Sequence, residues 1–351
     1  MIKTRFTEML GIRHPIMLAG MNWITTPKMV AAVCNAGGLG ILATAASMPE
    51  ETRMQIREIR KLTDKPFGIN QILIGRWAKN NIAVAIEEKV PIINYSLGKP
   101  WFIDQVHAYG GKVMGTIAVA RHAVRAEQLG CDLLVVTGHE AAAHGDIATS
   151  MVLIPLVASM IKIPLIAAGG FYDGRGLAAA LLLGADAISM GSRFIVTQES
   201  NVHENFKELI LEATEQDTLY SDVFDGMPGR VLKNAGAEAM MNSGFSLSQS
   251  VKSALEIKRI LNLSTSKFFA LSWDMMKSKE VNKNLLLQAR QANGAVRHLK
   301  AIKEGDEKDG FLFAGQCVGG IKDVPNCKDL IERIVAEAGE KIKSAWQKVN
   351  A

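Results

Sequence analysis

The sequence repeats one pattern eight times: a short apolar run followed by a segment with helical periodicity. The runs are PIMLAG from Pro15, GLGILA from Gly38, PFGIN from Pro66, PIINYS from Pro91, KVMGTI from Lys112, DLLVVTG from Asp132, PLIAAGG from Pro164 and DAISMG from Asp186. Each run is apolar throughout rather than alternating, which indicates strands of a parallel sheet buried on both faces. Eight β-α units in about 195 residues predict a (β/α)8 TIM barrel. A doubly wound parallel sheet is the alternative, because strand order cannot be read from one sequence.

The segments between the runs carry helix start and stop signals. Thr26 is placed to cap a helix whose first residue is Pro27. Two further helices are predicted to end at Gly130 and Gly184.

The repeat stops near residue 199, and this change predicts the domain organisation. Residues 1–199 form the barrel, and residues 200–305 are predicted to form a helical subdomain over the barrel mouth. Residues 306–351 return to the barrel with a glycine-rich loop, GFLFAGQCVGGI, and a terminal helix from about Lys328 to Val349.

Composition excludes several classes of function. The net charge is +5, and no run of Lys and Arg interleaved with aromatics points to nucleic acid. No signal peptide and no apolar run of bilayer length is found, so we expect a cytoplasmic protein without a membrane partner. The cysteines share no C-x-x-C spacing, and we expect reduced thiols at Cys34, Cys131, Cys317 and Cys327.

The carboxyl ends of barrel strands carry function, and here they are rich in Gly, Ala, Ser, Thr and Asn with few charges. This composition favours a flat, largely neutral ligand held by backbone groups. In the loops after the seventh and eighth runs, Gly169, Gly170, Gly191 and Ser192 predict a phosphate site. The alternative is that tight turns need these glycines anyway. No dinucleotide fingerprint follows the first strand.

The stretch VVTGHEAAAHGD, residues 135–146, contains two histidines. His139 and His144 are five positions apart, or about 140° around a helix, so they do not match the H-E-x-x-H zinc motif. We therefore expect no metal site. His144 is the candidate for chemistry, since it lies far enough into the loop to reach a ligand at the barrel mouth. A neutral imidazole there can accept a proton from a substrate or donate one to a developing oxyanion. His139 and His14 are interpreted as structural, and His107, His122, His203 and His298 as surface or turn residues.

The chain resembles the nitronate monooxygenase family, also called the 2-nitropropane dioxygenase family, over nearly its whole length. The segments that carry the resemblance are HPIMLAGMNW (14–23), NAGGLG (35–40), TDKPFGIN (63–70), RHAVRAEQLGCD (121–132), AAGGFYDGRGLAAALLLGADAISMGSRF (167–194) and FAGQCVGGI (313–321). Members of this family are FMN-containing barrels, and flavin-dependent enoyl-acyl-carrier-protein reductases and NAD(P)H:quinone reductases are similar to them.

The resemblance implies site residues. The catalytic histidine of the family maps onto His144, at the end of a motif like E-A-G-G-H-x-G. The residues implied to bind FMN are Gly20, Met21, Asn22, Asn70, Thr116, Thr137, Ala142, Ala168, Gly169, Gly170, Met190, Gly191, Ser192, Gly315 and Gln316. The chain departs from many relatives at Ala142 and Ala143, which replace glycines, and at Thr116 and Thr137, which replace Lys and Asp.

The expected function is oxidation of an alkyl nitronate with O2 to a carbonyl compound and nitrite. The alternative is an NAD(P)H-dependent flavin reductase that acts on a quinone or an enoyl thioester. A flavin-binding barrel without turnover, acting as a carrier or sensor, is a third possibility from another class. The expected partners are a small-molecule substrate and O2, with no nucleic acid, and the chain is a possible homodimer.

Overall fold

The fold was analysed in a computed structural model that describes residues 2–142, 144–243 and 285–350. All eight predicted strands are present and parallel. They are β1 (Ile16–Leu18), β2 (Ile41–Ala43), β3 (Gly68–Ile72), β4 (Ile92–Ser96), β5 (Lys112–Ile117), β6 (Leu133–Thr137), β7 (Leu165–Ala168) and β8 (Ala187–Met190).

The strands form a barrel rather than an open sheet. Their order is β1-β8-β7-β6-β5-β4-β3-β2, so each strand pairs with its neighbour in sequence and β8 returns to β1. Two hydrogen bonds join β1 to the start of β2: Leu18 N donates to Leu39 O, and Leu39 N donates to Ile16 O, both at 2.9 Å. This closure confirms the predicted barrel and excludes the doubly wound sheet.

Helices separate the strands as the repeat predicts. They are α1 (Arg5–Leu10), α2 (Pro27–Asn35), α3 (Pro49–Leu62), α4 (Ala78–Glu87), α5 (Ile103–His107), α6 (Ala120–Gln128), α7 (Ser150–Ala158), α8 (Gly174–Leu182) and α9 (Ser192–Ile195). The side chain of Thr26 accepts from Met29 N, so the predicted cap of α2 is confirmed. Gly130 and Gly184 follow α6 and α8 with φ of +97° and +96°, which is the left-handed turn that ends a helix.

The core has two layers because every strand is buried on both faces. The barrel interior is filled by residues such as Met17, Ile41, Met114 and Ile166, and Phe6 of α1 closes its lower end. The alternate strand residues face the helices. All of these side chains are at most 2 % exposed, and burying each contributes about 1.5–3 kcal/mol.

The segment after the barrel returns to the barrel mouth. It contains α10 (Glu204–Glu212), β9 (Thr218–Ser221), β10 (Gly229–Leu232), α11 (Ala235–Ser243), α12 (Leu285–Glu304), a 3-10 helix (Gln316–Gly320) and α13 (Cys327–Val349). The antiparallel β9–β10 hairpin lies in a region expected to be helical. Leu232, Ile302 and Leu312 pack in one cluster with Ile24 and Ile195 from the barrel loops. None of the described helices is both long and apolar enough to cross a bilayer.

Candidate active site

One large cavity opens at the carboxyl ends of the barrel strands. Its volume is about 1780 Å³, whereas sites for small molecules are typically about 300–1,000 Å³. The strand ends form its floor. The β9–β10 loop, α12 and the segment before the 3-10 helix form part of its wall through Asp225, Gln291, His298 and Phe313.

The cavity brings together almost all of the residues that the sequence singled out. Its lining includes His144 and the predicted flavin contacts Gly20, Met21, Asn22, Asn70, Thr116, Thr137, Ala142, Ala168, Gly169, Gly170, Met190, Gly191, Ser192 and Gly315. Gln316 does not line it. Its backbone N–H donates to Glu140 O at 2.9 Å and so fastens the glycine-rich segment to the β6 loop. Ala143 lies outside the described residues.

The loops after β7 and β8 present backbone N–H groups that have no hydrogen-bond acceptor among the described residues. We call this part of the cavity the cradle. Gly169 and Gly170 have φ of +100° and +86°, a conformation that glycine adopts without steric cost. The N–H groups of Gly169, Gly170, Gly191 and Ser192 donate to no acceptor within the described parts of the chain. Buried N–H groups are normally paired, so four open donors in adjacent loops are suited to an anion.

The glycine-rich segment completes this cradle. Gly315 N donates to Ser192 Oγ at 2.9 Å, which joins the segment to the start of α9. A Cβ on Gly315 would lie 2.6 Å from Glu140 O, so only glycine permits the approach to the β6 loop. The rim from β6 to β8 is therefore held by backbone contacts between three loops.

A row of polar side chains crosses the floor between β3 and β5. Asn70 Nδ2 donates to Asn94 Oδ1, and Asn94 Nδ2 donates to Thr116 Oγ1 at 2.9 Å. The register pairs Asn70 with Asn94 on neighbouring strands, so both side chains lie in one layer. Asn94 was missed in the sequence, although its place near the end of a buried strand was a usable signal. A Cβ on Gly20 would lie 2.8 Å from Asn70 Cβ, so glycine lets the β1 loop cover this row.

His144 is held by an acceptor at each ring nitrogen. Nδ1 lies 3.1 Å from Pro228 O, and Nε2 lies 3.1 Å from Asp225 Oδ2. Burial alone would lower the pKa of His144, but the hydrogen bond and charge of Asp225 and the Pro228 carbonyl outweigh it and raise the pKa. This shift favours the protonated ring, in which both nitrogens carry protons and donate.

The other members of the β6 loop have structural partners. His139 Nδ1 lies 3.0 Å from Asp146 O, and its ring packs against Tyr220 at a centroid distance of 4.6 Å. The carboxylate of Glu140 accepts from Ser150 N and Ser150 Oγ and so caps α7. His139 is absent from the cavity lining, in agreement with its structural interpretation.

His298 was wrongly interpreted as a surface residue. It is 5 % exposed and lines the cavity from α12. Its ring contacts Phe313, which also contacts His144, at centroid distances of 5.2 and 6.1 Å. Burial lowers the pKa of His298 to about 4, in the opposite direction to the shift at His144. Only the tertiary packing of α12 against Phe311 and Phe313 could reveal this.

Among the described residues, no three His, Cys, Asp or Glu side chains are grouped so that they could hold a metal ion. The site therefore combines backbone donors without partners, side-chain amides and one histidine with a raised pKa at the mouth of an α/β barrel. Barrel enzymes with this arrangement are suited to bind an anion with the loops after their last two strands.

Comparisons with known proteins agree with this class. The sequence model of the nitronate monooxygenase family matches residues 3–337. The chain belongs to the nitronate monooxygenase family, and it is an oxidoreductase.

The chain is similar to relatives that carry different names. A Rhodococcus jostii (strain RHA1) protein named (3aS,4S,5R,7aS)-5-hydroxy-7a-methyl-1-oxo-octahydro-1H-indene-4-carboxyl-CoA dehydrogenase is 39% identical over 97% of each chain. The solved structure of FabK from Thermotoga maritima is 35% identical with a TM-score of 0.82, covering 99% of this chain and 100% of that chain. A probable nitronate monooxygenase of Staphylococcus aureus (strain Newman) is 30% identical over 68% of this chain and 80% of its own.

Proposed function

We propose that the chain is an FMN-dependent oxidoreductase that acts on an acyl thioester. A bound flavin would supply the hydride chemistry at the carbon β to the thioester carbonyl, and the protein would supply or accept the proton at the α carbon. The observation that carries this proposal is the single cavity of about 1780 Å³, which continues from the β7 and β8 loops to exposed residues beyond β4 and β5. A flavin together with a small nitroalkane would leave much of this cavity filled with water. A thioester carried on a long pantetheine arm would fill it.

The residues present fit a flavin mononucleotide. The open N–H groups of Gly169, Gly170, Gly191 and Ser192 would hold its phosphate, and Asn70 would lie beside its ring. When bound, the flavin supplies the two-electron chemistry that side chains lack. The absence of a dinucleotide fingerprint favours FMN over FAD.

His144 would supply the proton. Its Nε2–H now donates to Asp225, and a substrate in the cavity competes for that proton. In the reducing direction Nε2 delivers the proton to the α carbon, and in the oxidising direction it takes the proton back. Phe313 packs edge-on against the His144 ring and His298 packs against Phe313, so these two rings would limit the access of water from that side.

Nitronate oxidation is the second candidate, and the match to the nitronate monooxygenase family favours it. A nitronate is an anion that has already lost its α proton. It would pair with His144 in its protonated form and need no base, and O2 would complete its conversion to a carbonyl compound and nitrite.

The test combines cofactor analysis with a substrate panel. Denaturation of the purified protein should release FMN, and release of FAD or no flavin would contradict the cofactor proposal. Steady-state rates are then measured with crotonyl-CoA plus NADH or NADPH, with butyryl-CoA plus an electron acceptor, and with ethylnitronate plus O2. Turnover of a thioester with a kcat/KM above that of ethylnitronate is expected. The reverse order would make nitronate oxidation the function.

A further inference from the structure

The cavity extends past the barrel axis over the carboxyl ends of β3, β4 and β5. Four cationic side chains line this extension: Arg76, Lys79, Lys99 and Arg125. They belong to three successive β-α units, and all four are exposed. We call this part of the cavity the cationic groove.

Charge is distributed unevenly around the cavity. Among the described residues that line it, the carboxylates are Asp146 and Asp225, from the β6 loop and the β9–β10 loop. Asp225 is already paired with His144. Lys79 and Lys99 have no carboxylate within ion-pair distance in the described parts of the chain. These two lysines therefore give the groove positive charge that no described carboxylate of the cavity pairs with.

The loop that carries Lys99 is held in a defined shape. Leu97 has φ of +51°, which is unfavourable for a residue with a side chain. A Cβ on the next residue, Gly98, would lie 2.6 Å from Leu73 Cβ, so the loop packs closely on the β3 loop. Strain of this kind persists where the surroundings impose it, and it is concentrated at ligand sites.

An exposed aromatic ring stands in the same groove. Trp101 is 47 % exposed, lines the cavity and is fixed edge-on against Phe102 at a centroid distance of 5.5 Å. The Arg76 guanidinium lies over the Trp77 ring, 4.5 Å from its centroid. A rigid indole beside cations is the combination that stacks a purine and contacts its phosphates. Between the groove and Thr116, the lining residues Ile117, Ala118 and Val119 are apolar.

We propose that the cationic groove binds the 3′-phospho-ADP end of a coenzyme A thioester. The phosphates contact the four cations, the adenine stacks on Trp101, and the uncharged pantetheine arm crosses the apolar lining to the acyl site. This rests on the proposed function, in which the substrate is an acyl thioester. The shared chemistry is that of a phosphorylated adenosine, which NADPH also carries. A concave groove with an inserted indole suits such a nucleotide better than the surface of an acidic carrier protein.

The test removes charge from both sides of the contact. KM is measured for crotonyl-CoA and for its 3′-dephospho form, with wild type and with a Lys79→Ala/Lys99→Ala double variant. In wild type, loss of the 3′-phosphate should raise KM about tenfold, a typical size for a charge-assisted contact. In the double variant the ratio of the two KM values should fall towards one. Lys61→Ala, at the opposite end of the barrel, is the matched control and should keep the wild-type ratio.

Four outcomes overturn the proposal. A wild-type ratio near one, or a ratio unchanged in the double variant, removes the phosphate contact. A double variant that raises KM for NADPH but not for the thioester assigns the groove to the pyridine nucleotide. A double variant that impairs turnover of crotonyl-acyl-carrier protein but not of crotonyl-CoA assigns it to a carrier protein.

Calorimetric titration of CoA and dephospho-CoA into the oxidised holoenzyme separates this proposal from the proposed function. Phosphate-dependent binding of CoA without thioester turnover would support the groove and contradict the thioester chemistry. Thioester turnover without phosphate-dependent binding would support the proposed function and contradict the proposed role of the cationic groove.

Discussion

The two sides of the barrel mouth are lined by different kinds of chemical group. The side from β6 to β8 consists of backbone groups and small residues, with Gly169, Gly170, Gly191 and Ser192 around one anion-sized cradle. The side from β3 to β5 carries long cationic side chains and an exposed indole. A backbone cradle holds one ligand with little freedom, whereas flexible cations hold an extended, charged one. Under the proposed function, the first side would hold the cofactor and the second side the substrate.

Gly170→Asp should have the largest effect, because it should abolish anion binding at the cradle. The new carboxylate repels the phosphate at close range and occupies its place, so flavin content and all activity should be lost. A Cβ at this position would lie 3.4 Å from Glu140 Cβ, so the fold has room for the substitution. Flavin per folded chain is the measurement.

Gly110→Asp is the matched control for this change. Gly110 has φ of +83°, close to the +86° of Gly170, and a Cβ there would meet no atom within 4 Å. It should bear the same backbone strain and keep its flavin. Equal flavin loss in both variants would mean that strain, rather than the phosphate position, explains the effect.

His144→Ala tests the group that faces both sides. FMN should be retained, and kcat on the thioester should fall by about 100-fold, as expected when a proton donor is lost. His139→Ala should stay within a few fold, because its ring has structural partners outside the cavity. If His139→Ala lowered kcat and His144→Ala did not, His139 would be the proton donor and His144 the structural residue.

Asp225→Asn tests His144 as the proton donor through the pH dependence of the activity. The raised pKa of His144 keeps it protonated above the ordinary value of about 6.5, so activity that needs the proton falls as pH rises through the raised pKa. Without the carboxylate, burial lowers the pKa, and the fall should begin at a lower pH. The profile of kcat/KM against pH shows this shift. An unmoved profile would exclude His144 as the titrating group.

Asn94→Ala tests the floor between the two sides. The amide is 3 % exposed and joins Asn70 to Thr116, so its loss should cost about 1–3 kcal/mol of unfolding free energy and weaken flavin binding. Asn81→Ala removes another buried amide that bonds Thr44 O, away from the cavity. Both changes should lower the urea midpoint, but only the first should release flavin more readily.

Ionic strength should have the smallest effect and should separate the two sides without any mutation. Added salt screens exposed charges, so KM for the CoA thioester should rise by about threefold as ionic strength increases. Flavin retention should not change, because the cradle consists of backbone donors. Parallel changes in both quantities would show that one kind of contact holds both ligands.

Much of the barrel and of the β6–β8 side could be predicted because short-range sequence determines them. Continuous apolar runs specify buried strands, and the glycines after β7 and β8 mark close backbone approach. The same reasoning placed His144 in the cavity. It did not identify the partners of His144, because Asp225 and Pro228 come from a hairpin about 80 residues later in the chain.

The β3–β5 side could not be predicted in the same way. Inspection of strand ends found few charges there, and the cations come from the loops and helices that follow. Lys99 lies three residues after β4, and Arg125 lies within α6. Only closure of the barrel places these residues along one groove. His298 was missed for the related reason that α12 is distant in sequence from the strands it covers.

The most direct test of the account is an anaerobic reoxidation experiment. Purified protein is reduced with NADH or NADPH, freed of excess nucleotide and mixed with crotonyl-CoA while the flavin absorbance is followed. We expect rapid return of the oxidised flavin spectrum in wild type and slow return in His144→Ala. If crotonyl-CoA leaves the flavin reduced while ethylnitronate bleaches the oxidised enzyme, the thioester account is contradicted and nitronate oxidation replaces it.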